Sequence, residues 1–111
     1  MTNYARGANF ERQVKADLES RGYLVIRAAG SHGIMDLVAF RPPRKPYVTG
    51  ETWFVQCKTN GVLSPADRRE LYETAFKWGA WAVRASRPKR GKLLFERLFT
   101  HGKEQWVEIY A

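Results

Sequence analysis

The sequence predicts an α/β fold in which a mixed central β-sheet is flanked by helices, and three observations carry that expectation. An apolar stripe at helical spacing opens the chain, with Phe10, Val14 and Leu18 at i, i+4 and i+8. Short apolar runs bounded by turn residues follow, among them YLVIRAA, IMDLVAF and ETWFVQCK. A second helical start, Ser-Pro-Ala-Asp from Ser64, interrupts the runs and places proline where its missing N–H costs least.

Each element can be justified in turn. Residues 3–21 form the first helix, closed by Arg21-Gly22, glycine being favoured just past a helix end. Tyr23–Ala29 is the first strand and Gly30-Ser31-His32-Gly33 a tight turn. Ile34–Phe40 is apolar on both faces apart from Asp36, which predicts a strand central in the sheet. Arg41–Gly50 carries three prolines and reads as a loop, and Glu51–Lys58 is the third strand. The second helix runs from Ser64 to about Trp78 and ends at Gly79. Ala80–Ser86 is a fourth strand, Arg87–Lys92 a basic turn, and Leu93–Thr100 and Glu104–Tyr110 the last strands. The order is α-β-β-β-α-β-β-β, one domain over residues 1–111.

Composition narrows the function classes. The 111 residues are 44% hydrophobic, enough for a core. Cys57 stands alone, which excludes an intramolecular disulfide and a cysteine-based zinc cluster. No run approaches the roughly 18 apolar residues of a membrane span. The opening residues MTNYARGANF lack the apolar stretch of a secretory signal, so a cytoplasmic protein is the expectation. Lysine and arginine number 19 against 11 acids, a net charge of +8, which favours a polyanionic partner. The basic residues scatter over helices, turns and strand ends rather than along one amphipathic face, so nucleic acid is preferred to a membrane.

Chemistry is expected where polar residues stand in apolar positions. Glu11 lies beside the helical stripe and points inward, Asp36 interrupts an apolar strand, and Gln56 and Lys58 sit two apart, about 7 Å, on one strand face. Burying such groups costs several kcal/mol unless they are paired or bound to a metal. Taken singly, each has a bland reading: a strand-end aspartate is commonly a satisfied hydrogen-bonding group, and Gln-x-Lys commonly solvated alternation. The combination is selective: a helical acid, then Gly-Ser-x-Gly-x-x-Asp, then Gln-x-Lys some twenty residues on.

Those residues resemble the PD-(D/E)xK nucleases and, within them, the archaeal-type Holliday junction resolvases. The likeness rests on Arg6-Gly7, Glu11-Arg12, Gly22-Tyr23, Arg27, Gly30-Ser31-His32-Gly33, Asp36-Leu37-Val38-Ala39 and Gln56-Cys57-Lys58-Thr59, and more weakly on Gly79–Val83. The resemblance implies a restriction-endonuclease-like sheet and a structure-selective endonuclease that hydrolyses phosphodiesters of four-way DNA junctions in paired, symmetric nicks. It implies Mg2+, with Mn2+ as a substitute, held by Glu11, Asp36, Gln56 and the backbone carbonyl of Cys57. Lys58 is implied to orient the attacking water, and Ser31 to touch the scissile phosphate. Arg12 and Arg27 match positions that support the site or the DNA backbone. One position departs from the family: Gln56 stands where most resolvases carry glutamate, so one formal negative charge is missing from the metal's neighbours.

DNA contacts are expected at Arg6, Arg12, Arg27, His32, Arg44, Lys45, Lys89 and Arg90, many of them in the basic turns with Arg41, Arg87 and Lys92. His32 reads as a DNA-backbone or surface residue rather than a metal ligand, and Cys57 as a core side chain rather than a nucleophile. No helix-turn-helix or zinc-finger pattern offers base readout, so recognition by shape is expected. Four tryptophans, Trp53, Trp78, Trp81 and Trp106, suggest a core plus a subunit interface, and paired cuts imply a homodimer. Two alternatives stand beside the resolvase: another endonuclease of the fold, Mrr-like or acting in repair, and a DNA-binding relative without catalysis.

Overall fold

The computed structural model describes residues 2–28, 33–89, 91–100 and 102–109, the side chains of Asn3 and Tyr4 excepted. Its first element, α1 (Asn3–Ser20), starts where the Ala5 N–H donates to Thr2 Oγ1 at 3.1 Å. The stripe of Phe10, Val14 and Leu18 is buried as its spacing predicts. The helix ends through the N–H groups of Gly22 and Tyr23, which bond the carbonyls of Glu19 and Leu18, and Gly22 takes a φ of 92° to turn the chain.

Six strands and a second helix follow: β1 (Leu24–Arg27), β2 (Leu37–Arg41), β3 (Glu51–Cys57), α2 (Pro65–Lys77), β4 (Trp81–Lys89), β5 (Lys92–Phe99) and β6 (Gln105–Ile109). They join in one sheet in sequence order, antiparallel except for the β3–β4 pair. A parallel pair needs a crossover, and α2 supplies it. Ser64 caps α2 by accepting the Asp67 N–H at 3.1 Å, with Pro65 in the first turn as expected. The mixed α/β class and the element order agree with the sequence reading.

Each face of the sheet carries its own apolar cluster. Under α1, Val14, Leu18, Leu37, Trp53, Val55 and Val83 are fully buried. On the other face α2 packs Leu71 and Ala75 against Leu63, Ala82 and Leu98. Trp53 joins the strands laterally, stacked on Trp81 at 6.0 Å and edge-on to Tyr23 at 5.1 Å.

Three boundaries differ from the sequence expectation. β2 begins at Leu37 rather than Ile34, because Asp36 sits at a bend with its carboxylate taken up by the neighbouring strand. It is also not central: β1 flanks it at the sheet edge. The basic turn expected over Arg87–Lys92 is mostly strand, since β4 runs on to Lys89 and β5 starts at Lys92. The pairing continues there through polar residues, and the register shifts between Ser86 and Lys89, around a proline that cannot donate to the ladder.

Candidate active site

Strand directions bring the C-terminal ends of β1, β3 and β4 and the N-terminal end of β2 to one end of the sheet. Asp36 is fixed there at three points. Its N–H donates to the Val55 carbonyl at 2.8 Å, its carbonyl accepts the Ala28 N–H at 2.8 Å, and its Oδ2 accepts the Cys57 N–H at 2.8 Å. The carboxylate thereby does the work of a missing ladder carbonyl, which is its structural role whatever its chemistry. Burial pushes the Asp36 carboxyl above the usual carboxylate range, and the charge of Glu11 adds to the rise. The Cys57 N–H, Lys58 and Arg27 pull the other way without cancelling it.

Glu11 reaches the same end from α1. Its Oε1 accepts from Arg27 Nε at 3.2 Å, with the two side chains only 19% and 20% exposed. Glu11 is thus half-buried beside the stripe, as its spacing predicts, and Arg27 is engaged with the acid rather than turned to solvent. Lys58 follows directly on β3, its N–H donating to the Ala85 carbonyl at 2.9 Å, and it lines an open groove with Arg6, Phe10, Thr59 and Arg87. Gln56 is buried, and its Oε1 has no hydrogen-bond partner. Cys57 packs against the core under α1, and burial, reinforced by Asp36 and Glu11, holds its thiol well above its ordinary pKa. A thiol so held is a poor nucleophile.

The remaining expected site residues divide. Arg6 is exposed on the groove, and Lys89 is exposed at the same end of the sheet. Arg12 is exposed on α1, where its Nη1 reaches Asn9 Oδ1 at 3.5 Å. Arg44 and Lys45 are exposed at the opposite end, because the loop between β2 and β3 leaves the sheet away from Asp36. Arg41 pairs with Glu51 at 3.4 Å and lies over the Tyr23 and Trp53 rings, so the fold itself uses that charge. Ser31, His32 and Arg90 lie outside the described residues.

The sequence reading placed Arg87 at the start of a basic turn. Instead its Nη1 donates to Gln13 Oε1 at 2.9 Å while its guanidinium lies 5.7 Å from the Phe10 ring, which puts the charge in the groove wall beside Lys58. Only the length of the basic run hinted at this, since the contact spans 74 residues of sequence.

The donors can be set against a divalent cation. Among the described residues no three His, Cys, Asp or Glu side chains gather as a metal cluster. Two carboxylates with one engaged oxygen each, and a buried amide oxygen without a partner, do stand at this end of the sheet. Such a set fits a hard ion that takes few protein oxygens and keeps several waters, as Mg2+ does. It would not fit a soft or tightly caged metal. With two acids facing Arg27 and Lys58, the described charges nearly balance, and the groove beside them is basic.

The chain is similar to known proteins in sequence over its first half and in shape over most of its length. The family model described as archaeal Holliday junction resolvase (Hjc) matches residues 2–60. A curated relative, the crossover junction endodeoxyribonuclease Hjc of Methanocaldococcus jannaschii, is 44% identical over 57 residues, which cover 51% of this chain and 37% of that protein. The match therefore spans well under half the relative's length. The solved structure of Hjc from Archaeoglobus fulgidus, described as a Holliday junction resolvase from an archaeal hyperthermophile, superposes with a TM-score of 0.66 at 25% identity. That superposition covers 92% of this chain and 88% of the other. No helix among the described residues is long and apolar enough to cross a membrane.

Proposed function

Since the chain belongs to the archaeal Holliday junction resolvase family, matched over residues 2–60, we propose that it is an endonuclease that resolves four-way DNA junctions by metal-dependent hydrolysis, nicking two opposed strands symmetrically. The observation that carries the reading is the meeting of Glu11, Asp36, Arg27 and Lys58 at one sheet end, beside a groove walled by Arg6 and Arg87.

Mg2+, or Mn2+ in its place, would be held by Glu11, Asp36, the Gln56 amide oxygen and the Cys57 carbonyl. When bound it would lower the pKa of a coordinated water and offset charge on the phosphate. The chain's own residues do the rest. Arg27 fixes the Glu11 carboxylate by taking one of its oxygens, and the Cys57 N–H does the same for Asp36, so each acid offers its remaining oxygen in a set direction. Lys58 places a positive charge where a phosphate lying in the groove would be attacked, orienting the water and stabilising the added charge. Arg6, Arg87 and Lys89 hold the DNA backbone; Ser31, His32, Arg12 and Arg90 extend that contact, and Arg44 and Lys45 meet a more distant arm. Cleavage of paired strands calls for two sites, hence a homodimer. Such a DNA substrate puts the site of action in the cytoplasm of a prokaryotic host or of one carrying a virus.

The neutral Gln56 favours a second reading, a relative that binds junctions without cutting them. Incubation with Mg2+ and a synthetic four-way junction, beside duplex, flap and single-stranded controls, separates the two. Symmetric nicks confined to the junction support resolution. Cutting of every substrate points to a general nuclease of this fold, and binding without any nick to the inactive relative.

A further inference from the structure

The turn that follows Lys58 is gripped by a side chain from beyond the span of the family model. We infer that Arg84 on β4 is a positioning residue for Lys58, acting through the Gly61 carbonyl; this rests on the nuclease reading above. Backbone contacts hold most of the turn: the Lys58 N–H bonds the Ala85 carbonyl at 2.9 Å, the Arg87 N–H bonds the Thr59 carbonyl at 2.9 Å, and the Gly61 N–H closes on the Lys58 carbonyl at 2.8 Å. Gly61 has a φ of 75°, which lets the turn reverse over Ser86. Its outward carbonyl then accepts from Arg84 Nη1 at 2.6 Å.

That guanidinium has little freedom to do anything else. Nε and Nη2 both donate to Glu96 Oε1 on β5, at 3.2 and 2.7 Å, and the plane lies 4.1 Å from the Trp106 ring on β6. Both charged side chains are largely buried, at 15% and 17% exposed. Glu96 takes two of its five N–H donors and the tryptophan one face of the plane, which leaves Nη1 to reach the turn. The additional donor aimed at Gly61 ties three strands of the C-terminal half to the turn that closes back on the Lys58 carbonyl. Arg84 also stands in register with Gln56 on the adjoining strand, so one side chain borders both halves of the Gln-x-Lys motif. A lysine cannot replace it, because a single ammonium cannot form the fork, the stack and the third bond together.

The test compares wild type, Arg84→Lys, Lys58→Ala and the double variant in single-turnover cleavage of a Mg2+-loaded four-way junction. Junction affinity without divalent metal and amide exchange at Gly61 are measured in parallel. Arg84→Lys should cut about 10- to 100-fold more slowly, the scale of a small misplacement of a catalytic group. It should bind the junction with wild-type affinity, exchange the Gly61 amide faster, and remove nothing further from the residual rate of Lys58→Ala. Glu96→Gln, which loosens the guanidinium but leaves it in place, should give a smaller version of the same pattern, should Arg84→Lys fold poorly. A rate loss that adds in full to that of Lys58→Ala, or wild-type cutting by Arg84→Lys, overturns the inference alone. A wild-type chain that cuts no DNA overturns the nuclease reading and the inference with it.

Discussion

Asp36 shows how a single residue can serve fold and chemistry at once, and what that costs. Its carboxyl lies above the ordinary range chiefly through burial. As pH rises the unfolded chain therefore ionises first, and the native state loses stability between the ordinary and the folded pKa. Asp36→Asn keeps an acceptor for the Cys57 N–H and removes the charge. Without divalent metal it should melt above wild type at neutral pH, the two curves converging toward about pH 3 where both groups are neutral. Added Mg2+ should raise the Tm of wild type and leave the variant unmoved. The variant should still bind junctions yet fail to cut them; normal cutting would remove Asp36 from the site. Gln56→Glu puts the family's usual acid where the Gln56 amide oxygen has no hydrogen-bond partner. It should match or exceed wild type in cleavage at low Mg2+, and a marked loss would dispose of Gln56 as a ligand. At this scale the sequence was informative about identities: Glu11 and Asp36 stood out because each breaks an apolar pattern. It was silent about Arg84, because an arginine in a strand looks ordinary until its partner on another strand is seen.

Elements were legible wherever local chemistry decides them. The α1 stripe, the Ser64-Pro65 start and the glycine that ends α1 all act within a few residues, and each element appears where they put it. Boundaries failed where tertiary contacts decide: β2 is shortened by the bend at Asp36, and β4 is prolonged because β5 pairs with it beyond the last apolar residue. The loop between β2 and β3 supplies a test of the latter kind. Gly50 lies so close to the Arg41 carbonyl that a Cβ there would collide with backbone. Gly50→Ala should cost about 2 kcal/mol of stability, read by denaturant unfolding. Single-turnover cleavage of saturating junction by the folded fraction should be unchanged, since this loop is at the far end of the sheet from Asp36.

At the scale of the molecule, charge and exposed apolar surface govern association. If Arg6, Lys58, Arg87 and Lys89 each meet a phosphate, these four alone should contribute about −3 to −4 to the slope of the logarithm of junction affinity against the logarithm of salt. A slope near zero would remove the groove from the DNA path. Phe76 and Trp78 at the end of α2 are 75% and 69% exposed, unusual for rings of that size. The double variant Phe76→Glu, Trp78→Glu should convert a dimer to a monomer in sedimentation without lowering helix content; a wild type already monomeric would refute the pairing.

The sheet's sequential strand order also divides the chain in two. The acids, the amide and the lysine all lie in the first 58 residues, while β4 to β6 brace them from behind. Recognisable family sequence ends at residue 60, yet similarity of shape to the Archaeoglobus protein extends over 92% of the chain. Shape is thus shared beyond the stretch where the sequence match stops, and it is there that the Arg84–Glu96 clamp grips the turn after Lys58.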